Sequence, residues 1–203
     1  MRLIRGLPLA VASLFVWALA VTPAFAQAPP AQPPPSEEEE KDEGPGDDIK
    51  EDEPTTPEGK AQKKEWEQKA CPAADVKYDA ETDKKSHPVP EPPEGKAMVF
   101  VIRPTRQGQK VQTKVAVDGE WKGANRGNNY LHFAVDPGQR FVCSKAENKS
   151  VLAFKAEAGK TYYLQQKIKM GIMKARNQVV LLSEEEGKKG LAKCHPSISS
   201  PKK

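Results

Sequence analysis

Aromatic residues and histidines are scarce in this chain. Phe, Trp and Tyr together make up 6% of the 203 residues, and hydrophobic residues of all kinds make up 37%. So small an apolar share disfavours a multi-domain enzyme, a multi-span membrane protein and a coiled coil. The three histidines are His87, His132 and His195, and no two of them have the spacing of a zinc site. We therefore expect no metal and no cofactor.

Sequence signatures of catalysis and of nucleic-acid binding are also missing. Gly123 and Gly127 lack the strand–loop–helix context of a phosphate-binding loop. Helix-turn-helix, zinc-finger and RNA-binding patterns do not occur. Cys194 and His195 are adjacent near the chain end, where a nucleophile and its base rarely face each other. We expect a non-enzymatic protein with no nucleic-acid partner, and an enzyme with an unrecognised Cys/His site is the alternative.

The N-terminus has the pattern of an export signal. Arg2 and Arg5 precede an apolar run over residues 7–21, and Ala24-Phe25-Ala26 follows as a small-x-small cleavage motif. The run is shorter than the roughly 20 residues that span a bilayer, which disfavours an uncleaved anchor. The pattern predicts a signal peptide over residues 1–26, a periplasmic or secreted protein, and no transmembrane span in the mature chain.

Charge divides the remaining residues into two parts. Residues 27–58 are rich in proline and contain twelve Asp and Glu, with Lys41 and Lys50 as the only cations. Almost nothing apolar is present to offset the entropy of folding, so we predict a disordered tail. Residues 59–203 carry 28 Lys and Arg against 16 Asp and Glu. Whether the tail screens this basic part, competes with an anionic partner or is only a spacer stays open.

Residues 59–95 predict a short helix, a short strand and a connector. The helix covers residues 61–70, where Glu65 and Lys69 are spaced as an i,i+4 pair. A short strand follows around Tyr78, because apolar and polar residues alternate there. Four prolines within residues 86–95 indicate an extended connector, since proline donates no backbone hydrogen bond.

From residue 96 onward the pattern is typical of β structure. Residues 97–102 are uniformly apolar, which predicts a central strand buried on both faces. Shorter alternating runs follow, separated by turn sequences such as Asp118-Gly119 and Asp136-Pro137-Gly138. Residues 96–203 therefore predict an antiparallel β-sandwich of about seven to nine strands.

A short helix is predicted near the C-terminus of this sandwich domain. Ser183 and Glu186 have the spacing of a capping box, and Pro196 ends the helical pattern. The complete prediction is a mainly β protein with a short C-terminal helix and a disordered N-terminal tail.

Several motifs resemble the bacterial family called domain of unknown function 2846. The resemblance covers about residues 71–185. The pattern is also similar to PEGA-type domains, which are small envelope β-sandwiches. It implies an exported or envelope β-sandwich, and it assigns neither an activity nor catalytic residues. The motifs that carry it are Cys71-Pro72, Gly95-Lys96-Ala97-Met98-Val99-Phe100, Val117-Asp118-Gly119, Val135-Asp136-Pro137-Gly138 and Ala156-Glu157-Ala158-Gly159-Lys160-Thr161-Tyr162-Tyr163.

Three cysteines in an exported protein leave one over. The residues alone allow three pairings and do not choose between them. The family pattern has cysteines at the positions of Cys71 and Cys143, so the resemblance implies a disulfide between these two. Cys194 is then free or bonded between chains, and the absence of any disulfide is a further alternative.

Two segments are candidates for a partner surface. The first is a predicted hairpin tip, where positive charge surrounds adaptable apolar side chains that suit an anionic membrane surface or a partner. The second is a predicted turn whose Trp, Arg and Asn residues suit a carbohydrate or peptide. Solvated lysines and ordinary turn formation explain the same residues. The candidates are Lys167, Lys169, Met170, Ile172, Met173, Lys174 and Arg176 in the first segment, and Trp121 and Arg126 in the second.

These observations predict a binding protein of the cell envelope. Its basic surface would contact an envelope protein or an anionic envelope component, and a purely structural accessory protein is the alternative. The residues do not identify the partner or the oligomeric state.

Overall fold

The computed structural model describes residues 56–170 and 175–202. The predicted signal peptide and nearly all of the predicted tail lie outside these residues. Within the described ranges the chain forms two helices and ten strands. They are α1 (Pro57–Ala70), β1 (Tyr78–Thr82), β2 (Ala97–Arg103), β3 (Thr113–Val117), β4 (Glu120–Asn125), β5 (Asn129–Val135), β6 (Gly138–Lys145), β7 (Lys149–Ala156), β8 (Thr161–Met170), β9 (Ala175–Leu181), α2 (Glu184–Leu191) and β10 (His195–Pro201).

The strands form two sheets, which confirms the predicted mainly β fold. The larger sheet has the order β1-β10-β5-β2-β8-β9, and the smaller has the order β4-β3-β6-β7. Most neighbours are antiparallel as expected, but β2 with β8 and β10 with β5 are parallel pairs. The described part of residues 96–203 contains nine strands, β2 to β10, within the predicted seven to nine, and β1 is the short strand predicted around Tyr78. The strand that the sequence did not suggest is β10, where Pro196 continues the chain as a strand after the helix has ended at Leu191.

β2 is the centre of the larger sheet and is buried along its whole length. Its inward residues Val99 and Val101 pack between the sheets against apolar side chains of both, such as Leu164. Its outward residues, including Phe100, form a second cluster with Leu191 of α2. Each such side chain contributes about 1.5–3 kcal/mol when fully buried. This is why the strand is apolar at every position from 97 to 102.

α1 lies against the outer face of the smaller sheet, and a disulfide holds its C-terminal end there. Ala70 is the one buried residue of this mostly polar helix. The next residue, Cys71, is bonded to Cys143 of β6, with 5.2 Å between their Cα atoms. The Trp66 ring lies 6.2 Å from that of Phe141. This cysteine pair is the one that the family resemblance implies.

α2 begins with the predicted capping box. The Ser183 hydroxyl accepts the Glu186 N–H at 3.3 Å, and the Ser183 N–H donates to the Glu186 carboxylate at 3.1 Å. The first helical N–H groups are thereby satisfied, which fixes where the helix starts. One turn later Gly187 is buried against the Tyr163 ring.

Three connections between strands meet at one end of the sandwich. They are residues 104–112 between β2 and β3, residues 126–128 between β4 and β5, and residues 146–148 between β6 and β7. The register shows this, because Arg103 pairs with Asn129, Thr113 with Asn125, and Lys114 with Lys145. We call this end, made of residues 104–112, 126–128 and 146–148, the loop end.

Candidate functional site

The loop end is organised around Arg103, the last residue of β2. Its side chain is fully buried, although it carries a charge. The guanidinium donates to the carbonyl of Val111 at 2.5 Å, to that of Gly108 at 2.6 Å and to that of Gln107 at 3.1 Å. These bonds fasten the 104–112 loop to the end of the central strand. Burial lowers the pKa of Arg103 to about 10, so the group still carries its charge at neutral pH.

The 126–128 loop is seated directly on the 104–112 loop. The Asn128 N–H donates to the Arg103 carbonyl at 2.8 Å, and the Gly127 N–H donates to the Gln109 carbonyl at 3.3 Å. A side chain at 127 has no room, because a Cβ there would lie 2.8 Å from the carbonyl oxygen of Thr105. The two loops therefore behave as one rigid surface rather than as two separate segments.

Beneath these loops lies a layer of buried polar side chains inside the sandwich. The Gln166 amide donates to the Ser144 hydroxyl at 2.9 Å and accepts at 3.1 Å from both Thr113 and Asn125. Asn125 also donates to the Val101 carbonyl at 2.9 Å. All four polar side chains are fully buried. A hydrogen-bonded network in a low-dielectric interior fixes one arrangement of the strands that carry the loops.

The exposed charged side chains on the two packed loops are all basic, whereas the third loop of the loop end carries the exposed Glu147. Arg106, Lys110 and Arg126 are exposed, and neither residues 104–112 nor residues 126–128 include an Asp or Glu. None of the three takes part in an ion pair among the described residues. Positive charge on a rigid surface is the arrangement that attracts an anion.

Lysines on the outer face of the smaller sheet are different, because acidic residues of the chain already neutralise them. Lys114 and Lys145 both pair with Asp75, and Lys149 pairs with Glu67 at 2.7 Å. The hydrogen bond from Lys114, followed by that from Lys145, lowers the pKa of Asp75. These paired lysines contribute to the net positive charge of the sequence, but they are less available to a partner than unpaired cations are.

The hairpin predicted as a partner surface projects at this same end. Ile102 pairs with Gln165, so the last residues of β8 continue past the end of β2. Lys169 and Arg176 are exposed register partners on β8 and β9, while Lys167 on β8 is half-buried. Ile172, Met173, Lys174 and the side chain of Met170 lie outside the described part of the chain.

The second predicted surface is divided between two places. Trp121 is half-buried at the start of β4, where its indole N–H donates to the Ala74 carbonyl at 2.8 Å. Arg126 follows the other end of β4, roughly 16 Å away at the rise of a strand. The residues between them form a strand rather than a turn. Trp121 thus holds the segment after α1, and Arg126 alone of the two belongs to the loop end.

Cys194 and His195 do not share an environment. Cys194 is buried and unpaired, and burial raises the pKa of its thiol to about 12. His195 is exposed. Burial of this thiol favours the alternative in which Cys194 is free over the one in which it bonds to a second chain. His132 packs its ring 5.8 Å from Phe100 on the neighbouring strand, and burial lowers its pKa.

The described residues include neither a metal site nor a membrane-spanning helix. Within residues 56–170 and 175–202, no three His, Cys, Asp or Glu side chains come together as a metal site. Among the helices that the structure describes, none is long and apolar enough to cross a lipid bilayer.

Sequence reasoning missed most of the buried part of this site. Gln166 occupies an inward position of β8, between the apolar residues Leu164 and Ile168. A polar residue at an inward position of a strand, where its neighbours two residues away are apolar, is a sequence signal that could have indicated a buried polar group. Arg103 directly follows the apolar run of β2 and gave no comparable signal, because arginines commonly follow strands.

Comparison with known proteins matches this part of the chain to a family. Residues 93–178 match the family model described as protein of unknown function, DUF2846. The predicted resemblance is confirmed. The DUF2846 match is narrower than the predicted residues 71–185. It includes all three loops of the loop end, and it leaves α1, α2 and β10 outside.

Two individual proteins are similar to parts of the chain. A Haemophilus influenzae protein described as uncharacterized is 25% identical over 109 residues, which are 53% of this chain and 65% of the relative. The matched part thus spans less than two thirds of that relative. An NMR structure of a protein from Eubacterium rectale is 17% identical, with a TM-score of 0.33, and covers 45% of this chain and 92% of the other.

Proposed function

We propose that this protein is an exported binding protein that contacts an anionic component of the cell envelope through the two packed basic loops of its loop end, and that it acts by binding rather than by catalysis. The observation that carries the proposal is the pair of packed loops bearing Arg106, Lys110 and Arg126 without any acidic residue. Loops fixed on a rigid scaffold are where β-sandwiches commonly place their binding residues.

Export is supported by the N-terminal sequence and is compatible with the disulfide. Arg2, Arg5 and the apolar run over residues 7–21 have the order of a signal peptide. Disulfides such as Cys71–Cys143 persist in oxidising compartments, which include the periplasm and the cell exterior.

The loop end is favoured over the other basic surfaces because its charges are available. Lys114, Lys145 and Lys149 would have to exchange Asp75 or Glu67 for a partner. The cations of the two loops have no such ion pair to break among the described residues. Long-range attraction by these cations also speeds association with an anionic surface at low salt.

Sedimentation of the purified protein with a bacterial envelope fraction tests this function. The variant Arg106→Gln/Lys110→Gln/Arg126→Gln removes the three loop cations. Its matched control, Lys60→Gln/Lys155→Gln/Lys189→Gln, removes the same charge from exposed positions on α1, β7 and α2. We expect the loop variant to bind at least about tenfold more weakly, because charge-assisted contacts are lost. The control should bind like the unmodified protein.

Two results would contradict the proposal. Equal losses in the two variants would mean that total charge, and not the loop end, determines binding. Unchanged binding in both would mean that the partner, if one is bound, sits elsewhere.

A further inference from the structure

Three carbonyl groups of the 104–112 loop, those of Gln107, Gly108 and Val111, are turned toward the buried Arg103 guanidinium. One guanidinium nitrogen of Arg103 donates hydrogen bonds to the carbonyl oxygens of Gln107 and Gly108, at 3.1 Å and 2.6 Å. In a trans peptide the N–H points opposite to the C=O. The N–H groups of Gly108 and Gln109 therefore point away from Arg103, to the solvent side of the loop.

These two N–H groups are consecutive and available. Neither donates a hydrogen bond to any residue in the described part of the chain. Gly108 has a φ of 58°, the left-handed conformation that glycine adopts readily. A left-handed residue inside a turn is the backbone feature by which successive N–H groups line an anion-binding concavity.

Among the described residues, no carboxylate pairs with the Arg103 charge beneath the loop. The hydrogen-bond partners of the Arg103 side chain are carbonyl oxygens, and its Nε is buried without an acceptor among the described residues. The hydroxyl of Thr105, also in this loop, is buried and unsatisfied there as well. A guanidinium held by dipoles alone leaves a positive potential at the loop, because burial limits screening by water.

We propose that the 104–112 loop is an oxyanion site that binds a phosphate group through the N–H groups of Gly108 and Gln109, with Arg106, Lys110 and Arg126 around it. This site rests on the proposed function and names the chemistry of the partner. Arg103 is its positioning residue, because it turns the carbonyls inward and does not touch the ligand.

A phosphate fits this arrangement better than a carboxylate does. A phosphate presents three oxygens and up to two negative charges, so it can accept from adjacent backbone N–H groups and from side chains at once. Arg106 and Arg126 carry forked donors whose geometry matches phosphate oxygens. A carboxylate has two oxygens and one charge, and three surrounding cations exceed what it neutralises.

Amide NMR spectra of the purified ¹⁵N-labelled protein test the site directly. Inorganic phosphate is titrated against sodium chloride at equal ionic strength. We expect saturable shifts at the amides of Gly108 and Gln109 with phosphate and not with chloride. Arg106→Gln/Arg126→Gln should weaken binding about tenfold, as loss of charge-assisted hydrogen bonds does. Lys155→Gln, a change on β7 away from the loop end, should leave the affinity unchanged.

Arg103→Lys tests the positioning role. Lysine keeps the charge but cannot hold three carbonyls in the fixed geometry of a guanidinium. We expect weaker phosphate binding and altered Gly108 and Gln109 amides before any phosphate is added, although the exposed cations are intact. Should this variant fail to fold, the exposed variants still decide the proposal, because they leave the interior unchanged.

Absent or non-saturable shifts, or equal weakening by Lys155→Gln, would overturn the site. Glycerol phosphate, titrated in a second arm, distinguishes a headgroup ester from the free ion, and saturation by either supports the site. If envelope binding needs the loop cations but phosphate leaves Gly108 and Gln109 unshifted, the oxyanion site is wrong and the proposed function stands. If phosphate shifts Gly108 and Gln109 but envelope binding does not depend on the loop cations, the oxyanion site stands and the proposed function is wrong.

Discussion

Burial decides the chemistry of individual residues in this protein. Arg103 and Cys194 are both inaccessible to water, yet burial affects them in different ways. Arg103 keeps its charge because three carbonyl dipoles replace water around it. At Cys194 burial outweighs the backbone hydrogen bond from Arg103 and the charge of Lys193, and the resulting pKa of about 12 keeps it a neutral thiol at physiological pH. Burial thus leaves one fixed charge at the end of β2 and one inert thiol before β10.

Asp75 gives a prediction with a defined pH dependence. Its carboxylate accepts hydrogen bonds from Lys114 and Lys145, and these lower its pKa below the ordinary value of 3.8. A depressed pKa in the folded state means that the ionised group stabilises the fold above the unfolded value, and that this is lost as pH falls through the folded value. We expect Asp75→Asn to cost about 1 kcal/mol or less at neutral pH, since the carboxylate is half exposed.

Urea unfolding of both proteins over a falling pH series measures this effect. The difference in unfolding free energy should shrink to zero once Asp75 is protonated in the folded protein. Asp136→Asn, which removes one exposed pair with Lys96 at 3.3 Å, is the control and should cost less. A cost of Asp75→Asn that stays constant into acid would show that the ion pairs do not contribute.

At the scale of elements, side chains close the two open sides of the sandwich. On one side, the Asn177 N–H donates to the Asn148 side chain at 2.7 Å, and the Asn148 amide donates to the Asn177 carbonyl at 2.9 Å. On the other, the Ser197 hydroxyl donates to the Ala124 carbonyl at 2.6 Å. The Asn148–Asn177 pair joins β9 to the β6–β7 turn, and the serine contact joins β10 to β4. The two sheets are thus joined on both sides by side-chain hydrogen bonds rather than by a continuous ladder.

The docking of α2 gives a prediction at this scale. A Cβ added at Gly187 would overlap the Tyr163 ring, and that ring is stacked 5.6 Å from Phe100, so it cannot move aside freely. Gly187→Ala should therefore destabilise the protein by about 1–3 kcal/mol through overpacking, although alanine is the better helix former by about 1 kcal/mol. Lys189→Ala on the exposed face is the control. Thermal unfolding should show a lower Tm for Gly187→Ala, and an equal or higher Tm would mean that α2 is not docked on Tyr163.

At the scale of the whole molecule, one covalent bond holds the N-terminal helix. Cys71 and Cys143 are 72 residues apart in the sequence, and a crosslink closing a loop of that size stabilises by about 4 kcal/mol in the chain-entropy view. We expect Cys71→Ser/Cys143→Ser to lose most of that free energy. Without the disulfide, Ala70 is the one buried residue that still holds α1 in place. The backbone amides of α1 should therefore also lose protection from hydrogen exchange.

Urea unfolding with and without reductant checks the bond. Reductant should lower the stability of the unmodified protein to that of the double variant, and it should not affect the double variant. Cys194→Ala, which keeps the disulfide, should remain sensitive to reductant. Equal stability of the reduced and oxidised protein would show that the crosslink does not hold the fold together.

Features set by neighbouring residues could be predicted from the sequence. β2 follows from the unbroken apolar run over residues 97–102, because a strand buried on both faces must be apolar at every position. The Asp118-Gly119 turn follows from two residues that tolerate positive φ, and they have φ values of 49° and 81°. The start of α2 follows from the spacing of Ser183 and Glu186. For the turn and the helix start the decisive interaction joins residues close in the chain, and for β2 the signal lies in consecutive residues although the packing that buries them is long-range.

Features set by distant residues were decided only by the tertiary structure. β10 contains two prolines and a single aliphatic residue, and it becomes a strand because β1, more than a hundred residues earlier, pairs with it. Trp121 could be assigned to the contact with Ala74 only once the disulfide had placed that segment. Arg103 organises the loop end because its guanidinium meets carbonyls turned toward it by the folded loop. The basic charge was visible in the sequence, but its concentration on two packed loops depends on which lysines find a carboxylate elsewhere in the fold.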